Sequence, residues 1–286
     1  MKLTHSSERM TPEFDKGELI YYEHIARYIF ASQFIKNKSV LDVACGSGYG
    51  VKILLEHGAK NVIGVDNSKE TIFHAKKYYG LKNATFVLAD ALKLPFKNNE
   101  FDVVTSFETI EHLKNRDLFI REVKRVLKER GLFILSTPNI LVYPKGNPFH
   151  IKEFNPAELQ SFLKKYFKNI KILFQNNSFA TSILSSSSLK NNLEMNLKNF
   201  KDFKLSPNQG LYLVTIASDA SIPKTLEESF LYNPGLPEKV SEKMGLLSRS
   251  LRETKDQLKE IRASRGFKII SKIHKTRIRI PVLKNV

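Results

Sequence analysis

The residues with the types and spacing to do chemistry fall into a few short stretches. Gly46, Ser47, Gly48 and Gly50 follow an apolar run holding Val40, Leu41 and Val43. A strand, a glycine turn and a helix make a corner where backbone can approach a ligand and free helix N–H groups face it. A dinucleotide fingerprint, G-x-G-x-x-G, starting at Gly46 would need glycine at position 51, which is Val51. That argues against a nicotinamide or flavin dinucleotide and for a smaller ligand without a pyrophosphate. Asp66 ends a second apolar run about twenty residues on, where an acid can accept from both hydroxyls of a ribose. Capping the next helix is the alternative, a job that Asn67 or Ser68 can also do. Asp90, followed by Ala91 and Leu92, is placed to accept from an adenine amino group between apolar neighbours, or else to cap a helix.

Residues 106–113 carry Phe107, Glu108, Glu111 and His112, which puts two carboxylates and an imidazole at the expected pocket mouth. An imidazole there can take a proton near neutral pH. Residues 147–154 add His150 and Glu153, candidates for binding an acceptor or acting as base. The alternatives are a ligand loop merely supported by Glu111 and His112, and a structural turn around His150. No metal centre is read from the sequence.

These groups need a frame that brings them to one edge. Residues 18–33 form a helical pattern with Leu19, Tyr22, Ile25, Ala26, Ile29 and Phe30 at helical spacing. Strands are expected at 39–44, 62–66, 85–89, 101–106, 132–136, 170–174 and 211–217. Helices are expected at 49–57, 69–79, 116–127 and 156–166. Apolar runs such as 62–65 and 132–135 suit parallel strands buried on both faces. The alternation predicts a doubly wound α/β sheet with ligands at the carboxyl edge of its strands.

The rest of the chain reads as appendage. Residues 1–17 are a polar lead-in, and 176–208 an insertion before the last strand, either over the site or a surface loop. Residues 220–237 hold Pro223, Pro234, Gly235 and Pro237 and read as a linker. Over 238–263, Val240, Met244, Leu247, Leu251, Thr254, Leu258 and Ile261 alternate spacings of four and three, a short coiled-coil seam or one docked amphipathic helix. A seam of this kind would make a homo-oligomer. Of the formal charge of +17, much belongs to the end: residues 262–286 hold eight Lys or Arg and no acid. With Phe267, Ile269, Ile270 and Ile273 this basic tail (264–286) suits an anionic membrane surface or an acidic glycan. Nucleic acid ranks lower, since no nucleic-acid-binding domain accompanies the charge. One cysteine, Cys45, excludes an intramolecular disulfide and is read as small filler in the turn. With neither a signal-peptide core nor a membrane-length apolar run, the expected location is cytoplasmic, peripheral to the inner face of the membrane if the tail binds it.

With these stretches in order, the chain resembles the class I S-adenosylmethionine-dependent methyltransferases, of the type 11-like kind. The carrying segments are 40–50, 62–68, 86–96, 101–113 and 127–139, and the likeness covers roughly 18–217, in a domain read as 18–219. It implies a Rossmann-like seven-stranded sheet with a reversed final hairpin and S-adenosylmethionine as cofactor. It implies Asp42, Ala44, Gly46 and Gly48 around the methionine part, Asp66 with Asn67 at the ribose, Asp90 with Ala91 at the adenine, and Phe107 with Glu108 beside the sulfonium. Tyr22, His24 and Arg27 resemble the N-terminal cover of the family, with Arg27 toward the cofactor carboxylate. Ala44 stands where many members carry glycine. Tyr-Tyr-Glu-His before the core, Phe-Glu-Thr-Ile-Glu-His and Phe-His-x-Lys-Glu-Phe are similar to bacterial members of surface-glycan assembly. The resemblance implies an O-methyltransferase for a sugar hydroxyl; from position on the ligand edge, His112 and then His150 are expected as its base, with Glu108 or Glu111 orienting it. The alternatives are a methyltransferase for a small metabolite or quinone precursor, and a silent cofactor-binding scaffold.

Overall fold

The computed structural model describes residues 10–16, 18–144, 146–177 and 210–223. Most of the expected insertion and the linker, and all of the coiled-coil segment and basic tail, lie outside the described residues. The elements run α1 (Pro12–Asp15), α2 (Leu19–Ser32), β1 (Ser39–Val43), α3 (Tyr49–Glu56), β2 (Asn61–Asp66), α4 (Lys69–Tyr79) and β3 (Ala84–Leu88). Then come β4 (Phe101–Phe107), a 3₁₀ turn (Ile110–His112), α5 (Arg116–Val126), β5 (Leu127–Pro138), α6 (Pro156–Leu163), β6 (Asn169–Gln175) and β7 (Tyr212–Ser218).

Alternation along each central strand builds two cores, one on each face of the sheet. Val40, Val62, Val103, Ile134 and Ile216 point to the face covered by α2, α3 and α4, where they join Ala31, Ile35, Leu54, Ile72 and Ala75. Leu41, Val43, Val104, Phe133, Leu135 and Leu213 point the other way, onto Phe119, Val123, Leu159 and Leu163 of α5 and α6. The seven strands lie in the order β3-β2-β1-β4-β5-β7-β6. β7 pairs antiparallel with both β5 and β6, so it is the reversed strand. The chain moves outward from β1 through β2 to β3, then returns to β4 beside β1. That reversal opens a crevice at the carboxyl ends of β1 and β4, the general ligand site of such sheets.

Two elements depart from expectation. Lead-in residues form α1, with Pro12 pre-set for a first helical turn. β5 begins at Leu127 rather than near 132: Leu127 pairs with Phe101, the chain bulges through 128–131, and pairing resumes at Leu132 with Val103. The polar Lys128, Glu129 and Arg130 at that bulge hide the strand from an apolar pattern.

Candidate functional site

A cavity of about 300 Å³ lies at the crevice. It is lined by the turn after β1 (Ala44, Cys45, Gly46, then Tyr49), the end of β2 (Asp66, Asn67) and the end of β4 (Phe107, Glu108). His24 and Tyr28 come from one face of α2, one turn apart, and Met10, His112 and Phe149 complete the wall.

The turn after β1 is wound tightly. Gly46 and Gly48 have φ of +54° and +96°, a region that glycine enters freely. Gly48 is also packed against α4, where an added Cβ would lie 2.8 Å from the Ala75 Cβ. Among the described residues the non-glycine positions with positive φ are Asn37, Asn83, Asn99, Ala44 and Glu108. The asparagines suit that region; Ala44 and Glu108 do not, and both line the cavity. Holding such residues left-handed costs on the order of 1–3 kcal/mol each, and such strain gathers at ligand sites.

Asp66 is fixed by backbone donors: Gly46 N–H donates to Oδ2 at 3.1 Å and Ser68 N–H to Oδ1 at 2.9 Å. Each oxygen keeps a lone pair for a hydroxyl in the cavity. The helix cap is Ser68, whose Oγ accepts from Thr71 N–H at 3.2 Å. Ser136 Oγ donates to Glu108 Oε1 at 2.6 Å, and Glu108 N–H points back to Ser136. His24 Nδ1 meets the Tyr49 hydroxyl at 2.8 Å. Burial, then the neighbouring Arg27, hold the His24 imidazole well below its usual pKa, so it is neutral at physiological pH. Tyr28 packs edge-on to Phe107, with ring centroids 4.9 Å apart, and to Tyr49 at 5.4 Å.

Other expected site residues sit off this lining. Asp42 is enclosed below it, accepting from Tyr28 OH at 3.0 Å and Thr105 Oγ1 at 2.7 Å; burial raises its carboxyl to about 7. Arg27 is buried behind Glu108, its NH1 3.6 Å from Glu108 Oε1 and its guanidinium 4.2 Å over the Tyr212 ring. Its Nε donates to Gln175, while NH1 and NH2 have no hydrogen-bond partner. Gly48, Tyr22, Asp90 and Ala91 do not touch the cavity. Asp90 is exposed and accepts from Leu92 N–H at 2.8 Å in a local turn, with no helix after it to cap.

The largest correction concerns Glu111. Expected at the mouth, it is fully buried, because the 3₁₀ turn rotates it inward. Its Oε2 accepts from Thr137 Oγ1 at 3.0 Å, its Oε1 has no hydrogen-bond partner, and burial, then nearby Glu108, push its pKa well up. His150 is also inward, with Nδ1 2.6 Å from Glu153 Oε1 and Nε2 3.0 Å from Asn147 Nδ2. His112 does reach the wall, its Nδ1 3.1 Å from the Phe149 carbonyl. Sequence reading missed Met10, Tyr28, Tyr49 and Phe149. Tyr28 alone carried a signal, lying four residues after His24 on the same helical face.

Residues 41–135 match the family model of a methyltransferase domain. Over these residues the chain carries a methyltransferase domain. A "Probable S-adenosylmethionine-dependent methyltransferase" of Mycobacterium tuberculosis is 34% identical over 166 residues, 56% of this chain and 60% of the relative. The chain thus spans less than two thirds of that relative's length. A ubiquinone biosynthesis O-methyltransferase of Pelagibacter ubique is 34% identical over 109 residues, 37% of this chain and 44% of its own. The fold is shared with a SAM-dependent methyltransferase of Thermotoga maritima, at 19% identity and TM-score 0.54, covering 74% of this chain and 97% of that one. The Mycobacterium tuberculosis relative is named for its dependence on S-adenosylmethionine, and the groups of this cavity fit that molecule. The Asp66 carboxylate suits a ribose diol, and the tight turn at Ala44–Gly46 lets backbone approach. The aromatic faces of Tyr28, Tyr49 and Phe107 suit a sulfonium cation.

Proposed function

We propose that this protein transfers a methyl group from S-adenosylmethionine to a hydroxyl of a sugar in a surface or lipid-linked glycan. The observation that carries the reading is the two-sided cavity: Asp66 and the glycine turn on one wall, Glu108 and His112 on the other. The cofactor when bound supplies an already activated methyl on sulfur. What the chain's own residues add is alignment and exclusion of water. Phe107 and Tyr28 wall the centre, and Glu108 is placed to accept a hydrogen bond from an acceptor hydroxyl. The proton of that hydroxyl needs a destination, and His112 is the imidazole facing an acceptor. With Nδ1–H held by the Phe149 carbonyl, its Nε2 lone pair is free to take it.

An exposed apolar rim beside the mouth supports an acceptor with a lipid portion. Phe149 lines the cavity yet is 55% exposed, and Leu141 and Ile151 nearby in the same β5–α6 connection are 59% and 50% exposed. The same rim suits a second reading, a quinone precursor with an apolar tail, and the similarity to a ubiquinone biosynthesis O-methyltransferase favours that alternative. The basic tail would then hold the enzyme on an anionic membrane surface, near either acceptor.

The test is transfer of label from methyl-labelled S-adenosylmethionine into fractionated cell extract. Label in lipid-linked sugar or polysaccharide supports the glycan reading, and label in the quinone fraction moves the assignment to the second. No transfer to any fraction, with cofactor bound, contradicts both.

A further inference from the structure

Beside the cavity, Glu111, His112 and His150 each offer one ligand atom, and these atoms lie within 4.8 Å of one another. The grouping is made by two separate chain segments. The 3₁₀ turn after β4 supplies Glu111 and His112, and the loop after β5 supplies His150. The loop is clamped onto the turn, since Ile151 N–H and Lys152 N–H both donate to the Glu111 carbonyl, at 2.8 and 3.2 Å. We propose that these residues form a binding site for a divalent first-row transition-metal cation.

Three features support it. First, Glu111 is 0% exposed and its Oε1 has no hydrogen-bond partner, although it lies 4.0 Å from His112 Nε2. That distance is too long for a hydrogen bond. Two atoms sharing one cation through bonds of about 2.1 Å sit roughly 3–3.5 Å apart, so a cation would draw this pair closer by about half an ångström or more. Second, both imidazoles are oriented as metal-ligating histidines are. His112 has Nδ1 against the Phe149 carbonyl, and His150 has Nδ1 against the Glu153 carboxylate, at 3.1 and 2.6 Å. An oxygen acceptor on Nδ1–H fixes the tautomer that leaves the Nε2 lone pair for a cation. Third, two imidazoles and a carboxylate make a mixed nitrogen and oxygen set, suited to Mn²⁺, Fe²⁺, Co²⁺ or Zn²⁺ rather than Ca²⁺. Seating the cation requires the three side chains to draw together. Spacings of up to 4.8 Å must close to about 3.5 Å, the separation of ligand atoms on one cation. Asn147 Nδ2, now 3.0 Å from His150 Nε2, must yield its place.

The site adjoins the chemistry, because His112 lines the cavity with Glu108. A cation there would lower the pKa of a coordinated acceptor hydroxyl, taking over the task otherwise given to His112 as base. That role rests on the methyl-transfer reading; the binding of the cation does not.

The test uses full-length protein stripped with a chelator and dialysed, then titrated with Mn²⁺ alone, free ion being followed by electron paramagnetic resonance. The expected result is one Mn²⁺ per chain, with the dissociation constant raised at least tenfold in both Glu111→Gln and His150→Gln. Zn²⁺ should compete for the same site. Glu111→Gln keeps shape and removes a buried acid, so its metal-free melting temperature should hold or rise while the stabilisation given by Mn²⁺ disappears. Absence of Mn²⁺ and Zn²⁺ binding in the wild type, or binding unchanged in both variants, overturns the proposal. S-adenosylmethionine binding, measured separately, keeps the two readings apart. A chain that takes the cation but not the cofactor sinks the proposed function and leaves the metal site, and the reverse result sinks the metal site.

Discussion

At the scale of single residues, the site mixes groups that were plain in the sequence with groups that were not. Asp66 was legible because its place at the end of β2 follows from strand length alone. Glu111 was misplaced because a single 3₁₀ turn decides whether it points outward or in. Tyr49 and Phe149 gave no pattern, since their contact with the cavity depends on the fold around them. Asp42 offers a prediction with a definite sign. Its folded carboxyl titrates at about 7, raised chiefly by burial, against roughly 3.9 when unfolded. Between those values the folded chain holds a proton that the unfolded chain has lost. Asp42 therefore favours the fold fully below about pH 4, and its contribution is lost as pH rises through 7. Asp42→Asn removes the dependence. Compared by urea unfolding at pH 4.5 and pH 8, the variant should gain on the wild type by roughly 2–4 kcal/mol at the higher pH. An equal difference at both pH values would show that Asp42 is ionised throughout.

At the scale of elements, the joint between α2 and the turn after β1 decides whether the cavity has a cover. Strands and helices were legible here because apolar alternation and the glycine turn act locally. The docking of α2 was expected only as the N-terminal cover that the resemblance implies. Its contact is specific: an added Cβ at Gly50 would lie 2.0 Å from the Tyr28 ring. Gly50→Ala should push Tyr28 aside and disturb its bond to Asp42. A melting temperature lowered by several degrees and cofactor affinity weakened about tenfold or more are expected, as overpacking of about 1–3 kcal/mol implies. Calorimetry and a binding titration read both. Unchanged values would mean that α2 moves without consequence. The bulge through 128–131 in β5 shows the opposite limit, a polar interruption inside a strand that no local apolar pattern reveals.

At the scale of the molecule, the fold was readable almost whole because a doubly wound sheet repeats one local grammar, buried strand then amphipathic helix. The acceptor was not, since it is set by loops and rims rather than by the repeat. No helix among the described residues is long and apolar enough to cross a membrane. Membrane contact through the basic tail predicts that removing residues 262–286 releases the protein from anionic vesicles in a flotation assay. Cofactor binding should be unchanged in the shortened chain. Equal flotation of both forms would assign the contact elsewhere. The central claim is that the cavity at the ends of β1, β2 and β4 holds S-adenosylmethionine, and a direct titration of that cofactor into wild type and Asp66→Ala tests it best. Saturable one-to-one binding, weakened ten- to a hundredfold in the variant by loss of a charged hydrogen-bond acceptor, is the predicted result. Absence of binding in the wild type, or equal binding in the variant, would contradict it.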